Sequence, residues 1–270
     1  MPKRPHKLDL YRLSVQNPLA EVALLHRMYS KPNAGREARI LKEDFAGTSI
    51  ISMAWVAIEP EATAHAVDTH GPTSRWAQRL AKREIGRRAD AIQFHVADVR
   101  EITKPKVDVI AALNFSAFVF HDPTALTGYF KKARQSLRPG GIYIMDVFGG
   151  PGAMKTITQS VEIEPPDHEP IGPFEYHWEQ RSYDAVTAKI DCRIHYTLSD
   201  GQTIQNAFRY DWRLWTLPEL SDCLKSAGFS KVQIWCDRYD AKEQQSDGVY
   251  QPVKHIPARE DWIAYVVAQR

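Results

Sequence analysis

Two acidic residues stand where a nucleoside would need them. Ile40-Leu41-Lys42-Glu43-Asp44 is a short apolar-leaning run that closes on an acid, and Phe45-Ala46-Gly47-Thr48-Ser49 follows as a small-residue loop. The apolar stretch Ile50 to Ile58 comes next, and a second short run, Ala66-Val67, ends in Asp68. A tight loop between strand and helix lets backbone approach a ligand closely, and an acid at the end of the next strand can accept both hydroxyls of a ribose. This spacing predicts a nucleoside crevice at the carboxyl end of a parallel sheet.

Such a crevice needs alternating strands and helices to build it, and the chain supplies them. Leu8 to Ser30 reads as helical, opened in part by Asn17-Pro18. Strands are expected over Arg39–Glu43, Thr63–Val67, Ala91–Val96, Val107–Leu113 and Gly141–Phe148. Helices are expected over Thr48–Ile58, Pro72–Ile85 and Pro123–Leu137, the last stopped by Arg138-Pro139-Gly140-Gly141. This alternation implies right-handed βαβ units. After Gly152 the pattern changes. Residues 153–172 are polar and proline-rich and read as a surface excursion. Phe174–Tyr183, Lys189–Leu198 and Thr203–Arg213 read as strands, with Ser199-Asp200-Gly201 as a hairpin turn. Thr216 to Glu219 has capping-box spacing for a helix reaching Ala227, and Lys231–Cys236 and Trp262–Val267 are the last strands. The expected division is a helical cap over 1–35, a core of 36–152 and 216–270, and an inserted antiparallel unit over 153–215.

Bulk properties narrow the function. The 270 residues are 43% hydrophobic and 25% charged, an ordinary globular balance. Mean hydropathy is −0.42, and no apolar run approaches the ~18 residues of a membrane span, so no membrane partner is expected. The basic start, Met1 to Lys7, leads into no signal-peptide core. A net charge of +2 gives no global field for nucleic acid. Cys192, Cys223 and Cys236 are widely spaced and carry no metal-ligand pattern. No metal is expected, and a reduced cytoplasmic location is the simplest fit.

The ordered blocks Glu43-Asp44-Phe45-Ala46-Gly47-Thr48, Val67-Asp68, Val96-Ala97-Asp98-Val99, Val107 to Asn114, Leu137-Arg138-Pro139-Gly140-Gly141 and Ala227-Gly228-Phe229 resemble the Rossmann-like (class I) S-adenosylmethionine-dependent methyltransferases. The resemblance covers roughly residues 36–150 and 216–268. It implies an α/β fold: a mostly parallel seven-stranded sheet with helices on both faces and an antiparallel β insertion after the fifth strand. It implies S-adenosyl-L-methionine as cofactor. Asp44, Phe45, Ala46, Gly47 and Thr48 would pass under its methionine and ribose. Asp68 would take the ribose hydroxyls, Asp98 and Val99 the adenine, and Leu113 and Asn114 the floor. Tyr11 and Gln16 could close over the methionine end. One departure is plain: the family's loop usually holds two or three glycines, and here Gly47 stands alone.

A sulfonium methyl is already electrophilic, so alignment and water exclusion matter more than a catalytic motif. The family's base-methylating members carry prolines after the fourth strand, and Asn114-Phe115-Ser116-Ala117-Phe118 has none. A small-molecule acceptor with a nitrogen or oxygen nucleophile is therefore expected. Alternation places Tyr176 with Trp178, and Arg193 with His195, on shared strand faces. With Tyr210, Phe115 and Phe118 these suggest an aromatic site with cationic groups for an anionic acceptor. His121 could act as a base near neutral pH, or simply begin a helix. The aromatics could equally form sheet core or a homodimer interface. The competing readings are an RNA or protein methyltransferase, a non-catalytic scaffold of the same fold, and a nicotinamide dehydrogenase.

Overall fold

The computed structural model describes residues 4–240 and 245–270, so part of the basic start lies outside the described residues. The main sheet is built from β1 (Ile40–Asp44), β2 (Thr63–Asp68), β3 (Ile92–Val96), β4 (Val107–Ala112), β5 (Leu137–Gly149), β10 (Lys231–Asp240), β11 (Gln245–Val253) and β12 (Trp262–Gln269). Its order is β11-β10-β12-β5-β4-β1-β2-β3. The five strands from β5 to β3 are parallel, and β12 runs antiparallel between β5 and β10. The expected sheet had seven strands; an eighth, β11, pairs antiparallel with β10 at the edge. Its polar Gln245-Ser246-Asp247-Gly248 start has no apolar alternation, so pairing rather than pattern makes it a strand.

The central strands are apolar because both faces are covered. In β4, Ile110 and Ala112 join a core with Tyr129 and Phe130 of α5 (Pro123–Ser136) and Leu220 and Leu224 of α6 (Leu217–Ser226). Val109 and Ala111 point the other way, into a core with Leu25 of α2 (Pro18–Ser30), Trp55 of α3 (Ile50–Ile58) and Leu80 of α4 (Gly71–Ile85). The one acid in β4, Asp108, accepts the N–H groups of Arg39 and Ile40 at 3.0 and 2.9 Å and so ties the bottom of β1 to β4. Thr216 and Glu219 form the expected capping box on α6.

A second sheet, β6 (Ile157–Ile163), β7 (Phe174–Asp184), β8 (Lys189–Leu198) and β9 (Thr203–Arg213), is an antiparallel meander in that order. The stretch expected as a surface excursion thus supplies an edge strand, β6, paired along β7. The N-terminal helix also divides. α1 (Lys7–Ser14) packs Leu10 against Phe174, Ile194 and Tyr196 of the second sheet, while α2 packs on the main one. Arg12 donates two bonds to Glu169, at 2.7 and 2.6 Å, which pin α1 to the loop before β7.

The Leu137-Arg138-Pro139-Gly140-Gly141 block is a packing device. A Cβ at Gly141 would stand 2.9 Å from the carbonyl oxygen of Arg138 and 3.1 Å from that of Asp108, both backbone atoms that cannot swing aside. Gly141→Ala is therefore expected to lower unfolding free energy by about 1–3 kcal/mol, in the range of overpacking, as measured by urea denaturation. An unchanged midpoint and slope would show that the turn relaxes freely.

Candidate active site

The loop after β1 has three left-handed positions but only one glycine. Phe45, Gly47 and Ser49 have φ of 57°, 47° and 56°. Left-handed backbone costs a residue with a Cβ on the order of 1 kcal/mol, so something must hold it. The N–H of Ala46 donates to Val67 O at 3.0 Å, that of Ser49 to Ala46 O at 2.6 Å, and that of Gly47 to Asp68 Oδ2 at 2.8 Å. The other oxygen of Asp68 accepts the N–H of His70 at 2.7 Å, where α4 begins. Asp68 thus lies at the end of β2 against the loop, half-buried, with lone pairs remaining on both oxygens.

Below the loop the charges are enclosed. Asp44 is buried, 2.8 Å from the buried Lys42 Nζ, and accepts the Tyr129 hydroxyl at 2.8 Å. Its carboxylate thus shapes the loop from beneath and presents no open face. Lys42 also donates to Val99 O at 2.8 Å, joining β1 to the turn after β3. Glu43, which sequence reasoning passed over, points to the opposite side and accepts Ser52 N and Oγ at 2.8 and 2.5 Å. Asp98 is engaged bidentately by Arg100, at 2.8 and 2.6 Å, and that pairing holds its carboxyl below the usual range. Ala46, Thr48 and Leu113 are buried in the walls, and Thr48 Oγ1 lies 3.5 Å from Gln16 Oε1, between α1 and α2.

A cavity of about 790 Å³ opens between the two sheets. Tyr11, Asn114, Phe115, Tyr176, Trp178 and Tyr210 all line it, as do Glu21 and Asp146. Asn114 and Phe115, each with φ of 57°, carry it to the end of β4. Their N–H groups donate to Asp146 at 2.9 and 2.8 Å. None of Phe45 to Thr48, Asp68 or Asp98 lines this cavity. Tyr11, expected over the methionine end, faces this cavity and shares a hydrogen bond with Tyr210.

Four expected substrate or catalytic residues stand outside it. Arg193 and His195 occupy the opposite face of β8 from Ile194, which lines the cavity. Arg193 donates to Asn206 Oδ1 at 2.6 Å and pairs with Asp191 at 3.1 Å. His195 Nδ1 accepts the N–H of Asn206 at 3.0 Å, so Nε2 carries the proton and donates to Glu179 at 3.1 Å. Together they hold Asn206, with φ of 52°, at the register shift between β8 and β9. Phe118 is fully buried behind the wall, 5.6 Å from the Phe148 ring and 6.1 Å from that of Trp212. His121 Nε2 donates to Asp211 O at 2.9 Å, on the far side of the wall. The anionic-acceptor expectation loses both of its cations.

Sequence reasoning also missed Glu21 and Asp146. Asp146 left a signal, a lone acid within the apolar run Ile142 to Val147; Glu21, on a half-exposed helix, left none. Burial pushes both carboxyls up, Asp146 to about 7 and Glu21 to about 8, and Glu43 is pushed up to about 7 for the same reason. No group of three or more metal-ligating side chains occurs among the described residues, and none of the described helices is long and apolar enough to cross a membrane.

The chain is similar in structure to an S-adenosylmethionine-dependent methyltransferase from Clostridium acetobutylicum, at 16% identity over 96% of each chain and a TM-score of 0.64. It is similar to CalS10, an amino pentose methyltransferase from Micromonospora echinaspora solved with S-adenosylmethionine bound, at 11% identity over 99% of this chain and 97% of that one, TM-score 0.66. It is similar to the sugar N-methyltransferase KedS8 from a Streptoalloteichus species, at 18% identity over 97% of this chain and 92% of that one, TM-score 0.64. Neither a protein-family model nor a curated protein sequence matches the chain. At these identities the likeness shows the fold, which is that of the class I, Rossmann-like methyltransferases.

The raised carboxyls have a consequence for stability. Each binds its proton more tightly in the folded chain, so its contribution is full below the unfolded value and is lost as pH rises through the folded one. The histidines lowered by burial, such as His65 at about 4, act oppositely, but below about pH 6.5. Melting temperature is therefore expected to fall between about pH 6.5 and 8.5, and Glu43→Gln should flatten part of that fall. A flat or rising wild-type profile over this window would contradict the assignment.

Proposed function

We propose that the protein is an S-adenosyl-L-methionine-dependent methyltransferase acting on a nitrogen or oxygen nucleophile of a small molecule. The observation that carries this reading is a pair of features at the carboxyl ends of the parallel strands. One is a left-handed loop with an acid at the end of the next strand. The other is an aromatic cavity of about 790 Å³, a size suited to a small acceptor. The residues fit the cofactor. The loop keeps Ala46 and Gly47 as small groups for close approach, and Asp68 has lone pairs left for ribose hydroxyls. Bound there, the cofactor supplies an activated methyl group. Leu113 and Asn114 would floor its site, Val99 would offer its N–H to the adenine, and Asp98 would reach the adenine amino group beside Arg100. The chain's own part is orientation and water exclusion: α1 covers the cavity with Tyr11, and the second sheet walls it with Tyr176, Trp178 and Tyr210. The division into a helical cap, a core of 36–152 and 216–270 and an insert of 153–215 serves this reading, with the insert as acceptor lid. A homodimer is compatible with it, and a cytoplasmic site would supply the cofactor.

Calorimetric titration is expected to show S-adenosylhomocysteine binding at micromolar affinity, roughly −8 kcal/mol. Binding of NAD with none of S-adenosylhomocysteine would overturn the reading. Asp68→Ala should weaken that binding by about 2–4 kcal/mol, since hydrogen bonds to a charged acceptor are lost. It should also lower stability by about 1–3 kcal/mol, because the N–H groups of Gly47 and His70 lose their acceptor. Unchanged affinity in the folded variant would remove Asp68 from the site.

A further inference from the structure

The cavity is one-sided in charge. Glu21, Asp146, Asp237, Glu260 and Asp261 line it, and Arg259 is its only cationic residue among the described ones. Arg259 is already held by Asp237, at 2.5 and 3.2 Å, and Glu260 by Lys155 at 2.5 Å. Asp146 is held by the Asn114–Phe115 turn. Asp261 is exposed, whereas Glu21 is largely enclosed and differs from the three that are held. Its Oε2 is enclosed and meets no hydrogen-bond donor among the described residues, and Oε1 has only the N–H of Asn17 at 3.4 Å. A buried carboxyl oxygen without a donor is costly unless something brings one. The cavity that Glu21 lines is also walled by the rings of Tyr11, Tyr176, Trp178, Tyr210 and Tyr265, whose faces attract cations.

We infer that the acceptor is a primary or secondary amine that enters this cavity as its ammonium ion, and that Glu21 binds the ammonium and takes its proton. The inference deepens the methyl-transfer reading and rests on it. An ammonium has no lone pair and cannot be methylated. Transfer of one N–H proton to the Glu21 carboxylate frees the nitrogen pair. That pair forms the new N–C bond as the methyl leaves the sulfonium, and the C–S electrons remain on sulfur as a thioether. The product leaves as an N-methylammonium ion, and the proton held on Glu21 passes to solvent, which restores the carboxylate and balances the charge. Burial and the nearby Asp146 raise the proton affinity of the carboxyl toward that of an amine, and an ammonium entering beside it favours the ionised form that can take the proton. Phe115 and Trp178 give the cavity apolar lining, which suits an amine carried on a ring or hydrocarbon frame.

The test uses three matched ligands, phenethylamine, 2-phenylethanol and phenylacetate, titrated into the wild-type protein with and without S-adenosylhomocysteine. The amine is expected to bind at least ~10-fold more tightly than either of the others, the scale of a charged hydrogen bond. Glu21→Gln, which keeps the shape, should lose that preference while its affinity for S-adenosylhomocysteine stays the same. Labelled methyl should pass to the amine in the wild type and fall at least ~10-fold in Glu21→Gln. No binding by the amine, or no preference over the alcohol and the acid, overturns the inference without need of any variant. A loss of S-adenosylhomocysteine affinity in Glu21→Gln overturns it too, because Glu21 would then meet the amino group of the cofactor instead. Failure of the wild type to bind S-adenosylhomocysteine at all would sink the methyltransferase reading, and the ligand ranking without it would still judge the cavity.

Discussion

Asp146 accepts the N–H groups of Asn114 and Phe115, and the site is arranged around those two bonds. Both donors sit on left-handed backbone, which Asn114 tolerates and which costs Phe115 more. The acid needs them equally, since a buried carboxylate without donors would be strongly disfavoured. Strand β5 fixes the acid, β4 delivers the turn, and their parallel pairing sets the distance between them. The result is a braced stretch of the aromatic cavity's wall at the end of β4. The two donors stabilise the ionised form while burial opposes it, and the carboxyl is left near 7.

The crevice side follows a similar logic of mutual support. Three alternate positions of the loop after β1 are left-handed, yet only Gly47 is free of a Cβ. Phe45 is held by packing, its ring 5.7 Å from Tyr129 and 6.1 Å from Phe120. Tyr129 in turn binds Asp44, and Asp44 neutralises the buried Lys42. A buried pair of this kind adds little net stability over an apolar one, but it penalises any arrangement that separates its members. The chain thus holds with side chains a turn that glycines would let form more easily.

The second sheet serves the cavity with one face and itself with the other. Tyr176, Trp178, Ile194, Tyr210 and Trp212 face inward, with Tyr210 and Trp212 stacked at 4.2 Å. Outward, Arg193 and His195 fasten the bulge at Asn206. That bulge shifts the register of β9 against β8. The basic residues are therefore as necessary to the wall as the aromatics, though they never meet what it encloses.

The sequence by itself determined the parts whose causes are local. The apolar runs of β1, β2 and β4, the acid closing β2, the capping box of α6 and the turn at Gly201 follow from side-chain periodicity, cap chemistry and backbone freedom within a few residues. Alternation also grouped Tyr176 with Trp178 and Arg193 with His195 correctly. It could not say which group faced inward, because a period of two defines two faces without naming the buried one. That choice came from α1 and β5 packing against one side. Polar β11 became a strand only because β10 left it an edge to pair with. The meeting of Glu21 from α2 with Asp146 from β5 had no trace in either local segment. Long-range packing alone brings two acids into one cavity, where removal from water changes what each can do.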